Sequence, residues 1–247
     1  MQKLPITELL YLQDPKRLSA HCQLVAVDQT PSGETAIVLD RTPFFPGGGG
    51  QKPDEGNIEW PSGRMMVRTV LQDTGKALHV GRLDGDDPVG GQQVTAVVSA
   101  SPRRLNDRIH SAGELVCAAM RQIDNRWLAT GAKHYPGDSR VLFNVMLDAG
   151  QREQLKNHLN DLLCKMIAED HRVVISTTSD PEHVERVCGY RPDYLPKGEP
   201  VRLVTVYGPF GRPCMGTHVD RLSEIGMIEI TSIKAKKGDL AISYAVR

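Results

Sequence analysis

The sequence predicts an α+β protein in which a small antiparallel β-barrel precedes an α+β domain. Short extended runs separated by glycine- and proline-rich turns fill the first hundred residues, a pattern typical of small barrels. After residue 100, apolar residues recur at a spacing of three and four, which indicates an amphipathic helix. Several further extended runs accompany a second such helix, and long helices among strands define the α+β class.

The predicted barrel strands are aliphatic and β-branched runs bounded by turn-forming residues. They cover residues 23–27, 35–39, 65–71 and 93–98. We therefore assign residues 1–100 to an N-terminal β-barrel domain with a glycine-rich loop. Residues 101–247 form the second, α+β domain.

The second domain is expected to begin with a helix over residues 103–121. Its apolar positions share one face: Leu105, Ile109, Ala112, Leu115, Val116, Ala119 and Met120. A second helical stretch covers residues 149–170. Extended runs cover residues 173–176, 201–207, 227–233 and 240–246.

Composition excludes several classes of protein. The chain is 40% hydrophobic and 24% charged, which is the range of globular proteins. Lys and Arg (30) balance Asp and Glu (30), so there is no bulk attraction to nucleic acid. No run approaches the roughly 18 apolar residues of a membrane span, and Pro5 and Glu8 interrupt the place of a signal-peptide core. Five scattered cysteines argue against a disulfide framework, and we expect a reduced, cytoplasmic protein without a membrane partner.

Two short motifs carry the residue types of a metal site. His110 and Glu114 are four residues apart on the predicted helix and therefore share a face. Cys214 and His218 flank a glycine in a turn-rich segment, and thiolate and imidazole are preferred zinc ligands. Together they supply four donors for a tetrahedral Zn²⁺. Taken singly, the first pair is more typical of an exposed surface pair, and the second also fits a buried thiol beside an unrelated histidine.

A run of four glycines precedes Gln51: Gly47, Gly48, Gly49 and Gly50. It lacks the Gly-Lys-Ser/Thr ending of a phosphate-binding loop and lies among strands, so nucleotide triphosphate binding is disfavoured. Without side chains, this backbone allows close approach of a ligand or another chain. A passive hairpin connection remains the alternative.

Basic islands lie just before the His110 motif and near the C-terminus. The first contains Arg103, Arg104 and Arg108, and the second contains Lys234, Lys236 and Lys237. Such clusters either contact phosphates or form a solvated surface.

Taken together, these segments resemble the alanyl-tRNA editing proteins (AlaX), the free-standing relatives of the editing domain of alanyl-tRNA synthetase. The resemblance runs through LDRTPFFP at residues 39–46 with the glycines, through residues 106–113, and through His134-Tyr135-Pro136-Gly137. The most specific match is CMGTHV at residues 214–219, followed by Glu224-Ile225-Gly226.

The resemblance implies a hydrolase with one Zn²⁺ per chain that removes serine or glycine from mischarged tRNA(Ala). His110, Cys214 and His218 correspond to zinc ligands in that family. Glu114 stands where the family has its fourth ligand, a histidine. Because 247 residues leave no room for a synthetase core, the resemblance implies action in trans on the acceptor end of the tRNA.

Three roles stay open for Glu114: fourth zinc ligand, general base for water, or the mark of a relative that only binds tRNA or protein. Thr217 and Gln51 are candidates for aligning the attacking water. A serine hydroxyl needs a buried hydrogen-bonding partner, since such a site penalises the analogue that lacks the hydroxyl. Thr130 is the first candidate for that partner, and Thr42 is the second.

Overall fold

The computed structural model describes residues 6–30, 32–192, 195, 198–236 and 238–247. Pro5 and Lys237, which were named above, lie outside this set. The chain divides into two units, Met1–Leu105 and Asn106–Arg247. Helix α1 starts at Ala100 and crosses that division, so the domain boundary placed after residue 100 stays a prediction.

Eight strands lie in the part of the first unit that the structure describes. They are β1 (Glu8–Leu9), β2 (Ser19–Gln29), β3 (Thr35–Leu39), β4 (Arg41–Thr42), β5 (Gly56–Trp60), β6 (Gly63–Asp73), β7 (Lys76–Gly85) and β8 (Gln93–Val98). Six of them close a barrel in the order β2-β3-β7-β6-β5-β8, with antiparallel pairing throughout. The short strands β1 and β4 pair in parallel.

Alternation along the barrel strands points one side chain in two toward the interior. In β8, for example, Val94, Ala96 and Val98 are buried while the residues between them are more exposed. The interior is filled by side chains such as Leu24 and Ile58, so the barrel has a packed hydrophobic core. The predicted runs fall within β2, β3, β6 and β8, whereas β5 and β7 were not predicted.

The second unit contains helices and two antiparallel sheets. Its elements are α1 (Ala100–Ile123), β9 (Ala129–Tyr135), β10 (Asp138–Phe143), α2 (Ala149–Ala168), β11 (Val174–Thr178), α3 (Pro181–Cys188), β12 (Val201–Thr205), β13 (Arg212–Pro213), β14 (Ile228–Lys236) and β15 (Asp239–Val246). One sheet has the order β14-β15-β10-β9, and the other has the order β11-β12-β13.

Local signals explain where the helices of this unit begin and which face they bury. Asp148 caps α2 by accepting from the Gln151 backbone N–H (2.8 Å), and the Gln151 side chain accepts from the Asp148 N–H (2.9 Å). Leu159 and Leu163 of α2 pack with Leu115 and Met120 of α1 in one core. That packing positions the α1 turn that carries the functional side chains.

The α+β class and the N-terminal antiparallel barrel are confirmed. The hairpin of β9 and β10 and helix α3 were missed because their alternation is polar and their apolar positions are few. Among the residues that the structure describes, no helix combines the length and apolar character that a membrane crossing requires.

Candidate metal centre

The structure brings three of the four predicted ligands together and places the fourth, Glu114, beside His110. Cys214 Sγ lies 3.4 Å from His110 Nε2 and 3.3 Å from His218 Nε2. His110 Nε2 lies 3.9 Å from Glu114 Oε1. The donor atoms of His110, Cys214 and His218 all fall within 4.8 Å of one another. One thiol and two imidazoles at this spacing fit a zinc ion by chemistry and by size.

Buried Arg202, on β12, holds the loop that carries Cys214. Its guanidinium Nη1 donates to the carbonyls of Cys214 (2.6 Å) and Gly216 (3.1 Å). The Cys214 N–H donates in turn to the Arg202 carbonyl (3.0 Å). The Gly216 N–H points at Cys214 Sγ (3.4 Å), which favours a thiolate at this position. The sulfur is therefore held in place by several bonds of its own loop.

His218 is oriented by a hydroxyl of helix α1. Its Nδ1 lies 3.2 Å from Ser111 Oγ, which also accepts from the Val219 N–H (3.1 Å). This contact turns Nε2 toward Cys214. Buried Thr217 donates its hydroxyl proton to the carboxylate of Asp107. A role for Thr217 in aligning water stays a prediction, and that bond already engages its proton.

Burial controls the protonation of the centre. It lowers the pKa of His218 to about 3, with Arg202 acting in the same direction. It also places the pKa of His110 well below its ordinary value, assisted by His218 and His134. These imidazoles are neutral at pH 7, which is the form that binds a metal. Burial, and next the Glu114 carboxylate, raise the pKa of the Cys214 thiol to about 12, so a metal must displace its proton.

A third imidazole, His134 on β9, belongs to the same cluster. Its ring stacks on that of His110 with centroids 4.5 Å apart and planes at 22°. Donor atoms of His110, Glu114 and His134 also lie within 4.8 Å of one another. The sequence predicts no strand here because β9 is polar, and it points to His134 only through the motif at residues 134–137. Its position as the one buried residue of β9 became visible only in the folded hairpin.

A cavity of about 300 Å³ adjoins the centre at Glu114. Arg212 Nη1 lies 3.7 Å from Glu114 Oε2 and donates to Cys117 Sγ (2.8 Å). Further along the wall, the Arg121 guanidinium lies 3.9 Å above the centroid of the Phe210 ring. The remaining walls are largely apolar, contributed by Ala118, Val204, Val206 and Pro209. A largely apolar pocket with a few polar groups is typical of a ligand site.

Thr130 and Arg108, two predicted substrate contacts, bond to other groups of the protein. Thr130 is exposed, and its hydroxyl donates to Asp239 Oδ2 (3.1 Å), so it is not the buried partner that a serine hydroxyl needs. Arg108 donates from Nε to the Ile225 carbonyl (2.9 Å) and from Nη2 to the Arg247 carbonyl (2.7 Å). Arg108 thus links α1 to Ile225 and Arg247, and these bonds do not fit its predicted role as a phosphate contact.

Thr42 is completely buried in the barrel. His79 Nδ1 bonds to the Ile37 carbonyl (2.9 Å), so its Nε2 accepts from the Thr42 hydroxyl (2.8 Å). The Phe44 N–H donates to the same hydroxyl (3.2 Å). With its hydrogen-bonding capacity taken up inside the barrel, Thr42 does not fit the predicted role in substrate recognition.

Arg103 is buried in the first unit and forms an ion pair with Asp54. Its Nε lies 3.0 Å from both carboxylate oxygens, and its Nη2 contacts Asp54 and the Pro43 carbonyl (2.9 Å). This guanidinium is committed to the barrel, so its assignment as a phosphate contact is wrong. Arg104 is exposed and remains a predicted RNA contact.

The glycine run forms an ordered tight turn. Gly47, Gly48, Gly49 and Gly50 have φ of 78°, 119°, 55° and 80°, and Gly48 and Gln51 exchange backbone hydrogen bonds of 3.2 and 2.9 Å. Other residues rarely adopt these angles, so the backbone itself requires glycine. Gln51 is buried beside this turn. Substrate contact by the glycines and water alignment by Gln51 stay predictions.

Comparisons with known proteins agree with this architecture. Residues 18–101 match the family model described as tRNA synthetases class II (A). Residues 201–240 match the threonyl and alanyl tRNA synthetase second additional domain, which here includes Cys214 and His218. The barrel and the metal-type centre thus define a protein with the parts of a synthetase editing region.

Individual relatives show which proteins this chain is similar to. Alanine–tRNA ligase of Methanopyrus kandleri is 31% identical over 236 residues, which cover 93% of this chain and 25% of the ligase. Alanyl-tRNA editing protein AlaX-L of Pyrococcus horikoshii is 26% identical over 236 residues, covering 95% of this chain and 56% of that protein. The chain therefore spans a quarter of the ligase and about half of AlaX-L. Its sequence is AlaX-like over nearly its whole length and carries matches to both synthetase family models.

Proposed function

We propose that this chain hydrolyses the ester of mischarged tRNA(Ala), acting in trans on tRNA that carries serine or glycine. The observation that carries the proposal is the convergence of His110, Cys214 and His218 within 4.8 Å in an AlaX-like chain. The name of the relative AlaX-L supports alanyl-tRNA editing as the reaction class. The single-stranded acceptor end of a tRNA is a segment that a pocket can admit.

One zinc ion would be held by His110, Cys214 and His218. When bound, it supplies a buried positive charge that orders the pocket and stabilises negative charge developing on the ester oxygen. The protein contributes the neutral state of its imidazoles and the Arg202 bonds that fix the sulfur.

We assign Glu114 the role of proton acceptor for the attacking water. Its Oε1 stands 3.9 Å from His110 Nε2, and its other oxygen faces Arg212 at 3.7 Å, at the edge of the cavity. A carboxylate within reach of a ligand pocket can hold water and take its proton through Oε. The cavity of about 300 Å³ offers space for part of the aminoacyl end beside that carboxylate.

The test is deacylation of Ser-, Gly- and Ala-tRNA(Ala) by the purified chain, with zinc content measured on the same samples. We expect hydrolysis of the serine or glycine ester and sparing of the alanine ester. Cys214→Ala should remove zinc and turnover together, whereas Cys164→Ala, which changes an exposed free cysteine, should keep both. Stoichiometric zinc without hydrolysis of any of the three esters would refute the proposal.

The second candidate function is a relative that binds tRNA without hydrolysing it. Glu114, in place of the histidine that the resemblance implies, is the observation that favours it. Saturable binding of the tRNA without loss of its amino acid, in zinc-loaded protein, would support this alternative.

A further inference from the structure

We propose that His134 is a metal ligand, binding through Nε2 beside His110, Cys214 and His218. The inference rests on the metal centre of the proposed function and deepens it. It concerns a side chain of strand β9, away from both motifs that predicted the centre. It also leaves Glu114 to act on water.

The hydrogen-bond pattern around His134 fixes which of its nitrogens carries the proton. Tyr244 has one hydroxyl proton, which it donates to the carbonyl of Ile109 (3.0 Å). The Tyr244 oxygen therefore accepts from His134 Nδ1–H, at 2.6 Å. A neutral imidazole protonated at Nδ1 presents a lone pair at Nε2. Metal-bound histidines show this arrangement, in which the second nitrogen donates to an oxygen of the protein.

The site is shaped around that ring. A Cβ at residue 113 would lie 2.3 Å from His134 Cε1, 2.4 Å from its Nδ1 and 2.6 Å from the Tyr244 hydroxyl. Only glycine at this point of α1 leaves room for the imidazole and its tyrosine partner. His134 is 2% exposed, so its ring lies almost entirely inside the protein.

The distances place a donor atom of His134 beside those of His110 and Glu114. His110 lies between two imidazoles, with centroids 4.5 Å from both His134 and His218. The donor atoms of His110 and His134 are within 4.8 Å. Two zinc-bound nitrogens lie at most about 4.2 Å apart, because each Zn–N bond is about 2.1 Å. Shared coordination therefore requires the His134 ring to close on His110 and to move toward Cys214 and His218, whose donor atoms form a separate group with His110.

The decisive experiment uses the unmodified chain. Imidazole ¹H–¹⁵N NMR spectra are recorded on metal-free protein and after one equivalent of zinc. We expect the Nε2 resonances of His134, His110 and His218 to move to metal-bound positions while His134 Nδ1 keeps its proton. An Nε2 resonance of His134 that stays in place while those of His110 and His218 move would overturn the inference.

Two variants separate ligation from stacking. His134→Phe keeps a ring against His110 but has no nitrogen, and Tyr244→Phe removes only the acceptor of the Nδ1–H and the donor to Ile109. Loss of a second-shell partner costs about 10–100-fold in metal affinity, which we expect for Tyr244→Phe. His134→Phe should cost more and should change the absorption spectrum of the Co²⁺-substituted protein. Unchanged zinc affinity and an unchanged Co²⁺ spectrum in His134→Phe would show that the ring only stacks.

These outcomes distinguish the inference from the proposed function. Zinc bound through His134 without deacylation would defeat the function and leave the ligand in place. Deacylation with zinc bound only by His110, Cys214 and His218 would defeat the inference alone. Absence of zinc binding by the unmodified chain would defeat both.

Discussion

Replacing Gly113 by Ala tests whether the interior of the metal centre is packed as tightly as the structure shows. The added Cβ would lie 2.3 Å from His134 Cε1, whereas ordinary contacts begin at 3.4 Å. The ring must therefore retreat by about 1 Å, the difference between these distances. Such a shift strains its bond to Tyr244 (2.6 Å) or its stacking on His110.

Two opposing effects determine how much Gly113→Ala changes the free energy of unfolding. Ala in a helix interior is more stable than Gly by about 0.5–1 kcal/mol. Overpacking a filled core costs about 1–3 kcal/mol. Because the overlap involves two buried side chains, we expect overpacking to win, with a net loss of about 1–2 kcal/mol. For a chain of this size, each kcal/mol lowers the melting temperature by about 2–4 °C.

Thermal unfolding of metal-free protein and zinc titration of the folded variant measure the two consequences. Gly150→Ala is the matched control, because that helical glycine has Asp148 Oδ1 as its nearest neighbour at an ordinary 3.5 Å. We expect the control to unfold at or slightly above the temperature of the unmodified chain. If Gly113→Ala were as stable as Gly150→Ala and bound zinc equally well, the packing of His134 against α1 described above would be wrong.

Four further outcomes are expected. Zinc affinity should rise about tenfold per pH unit between pH 6 and 8. Burial raises the pKa of Cys214 to about 12 and the imidazoles are already neutral, so one proton leaves for each ion bound. If calorimetry showed no proton release on zinc binding, the thiolate would be excluded as a ligand. Arg103→Ala should lower the free energy of unfolding, measured in urea, by about 3–5 kcal/mol, because it leaves Asp54 buried without its cation. The control Arg104→Ala should change that free energy by less than about 0.5 kcal/mol. Equal stabilities of the two variants would disprove the buried ion pair. Ala118→Leu should slow deacylation and keep the zinc affinity and melting temperature, because its added methyl groups enter the cavity; unchanged kinetics would remove that cavity from the reaction. Glu114→Gln should abolish turnover with zinc retained, and loss of zinc together with turnover would instead make Glu114 a ligand.

The closeness of the side chains within each of the two motifs could be predicted because their spacing is local. Four residues of helix place His110 and Glu114 on one face, whatever the rest of the chain does. The Cys214 and His218 pair needed only a turn with glycine in it. The spacing within each motif determines how close its own two side chains lie. The two motifs were combined because their residue types are those that bind zinc.

The contacts of His134, Thr42 and Arg103 could not be predicted, because their partners are distant in sequence. Thr42 bonds to His79, 37 residues away, and Arg103 pairs with Asp54 at a separation of 49. His134 faces α1 only because of the register between β9 and β10, which no periodicity in polar β9 reveals. The residue type shows which groups a side chain can bind, but the strand register determines which groups lie next to it.

The carboxylate at position 114 changes the charge of the loaded centre. A Zn²⁺ with the Cys214 thiolate and neutral imidazoles carries a formal charge of +2 − 1 = +1. The Glu114 carboxylate beside it would bring the sum to 0, and the Arg212 guanidinium paired with that carboxylate would return it to +1. Buried charges are costly unless they are balanced, so this carboxylate stabilises the ion in an apolar interior. It would also weaken the ion's pull on an ester, which fits the proposal that Glu114 activates the water, with Arg212 as its ion-pair partner at 3.7 Å.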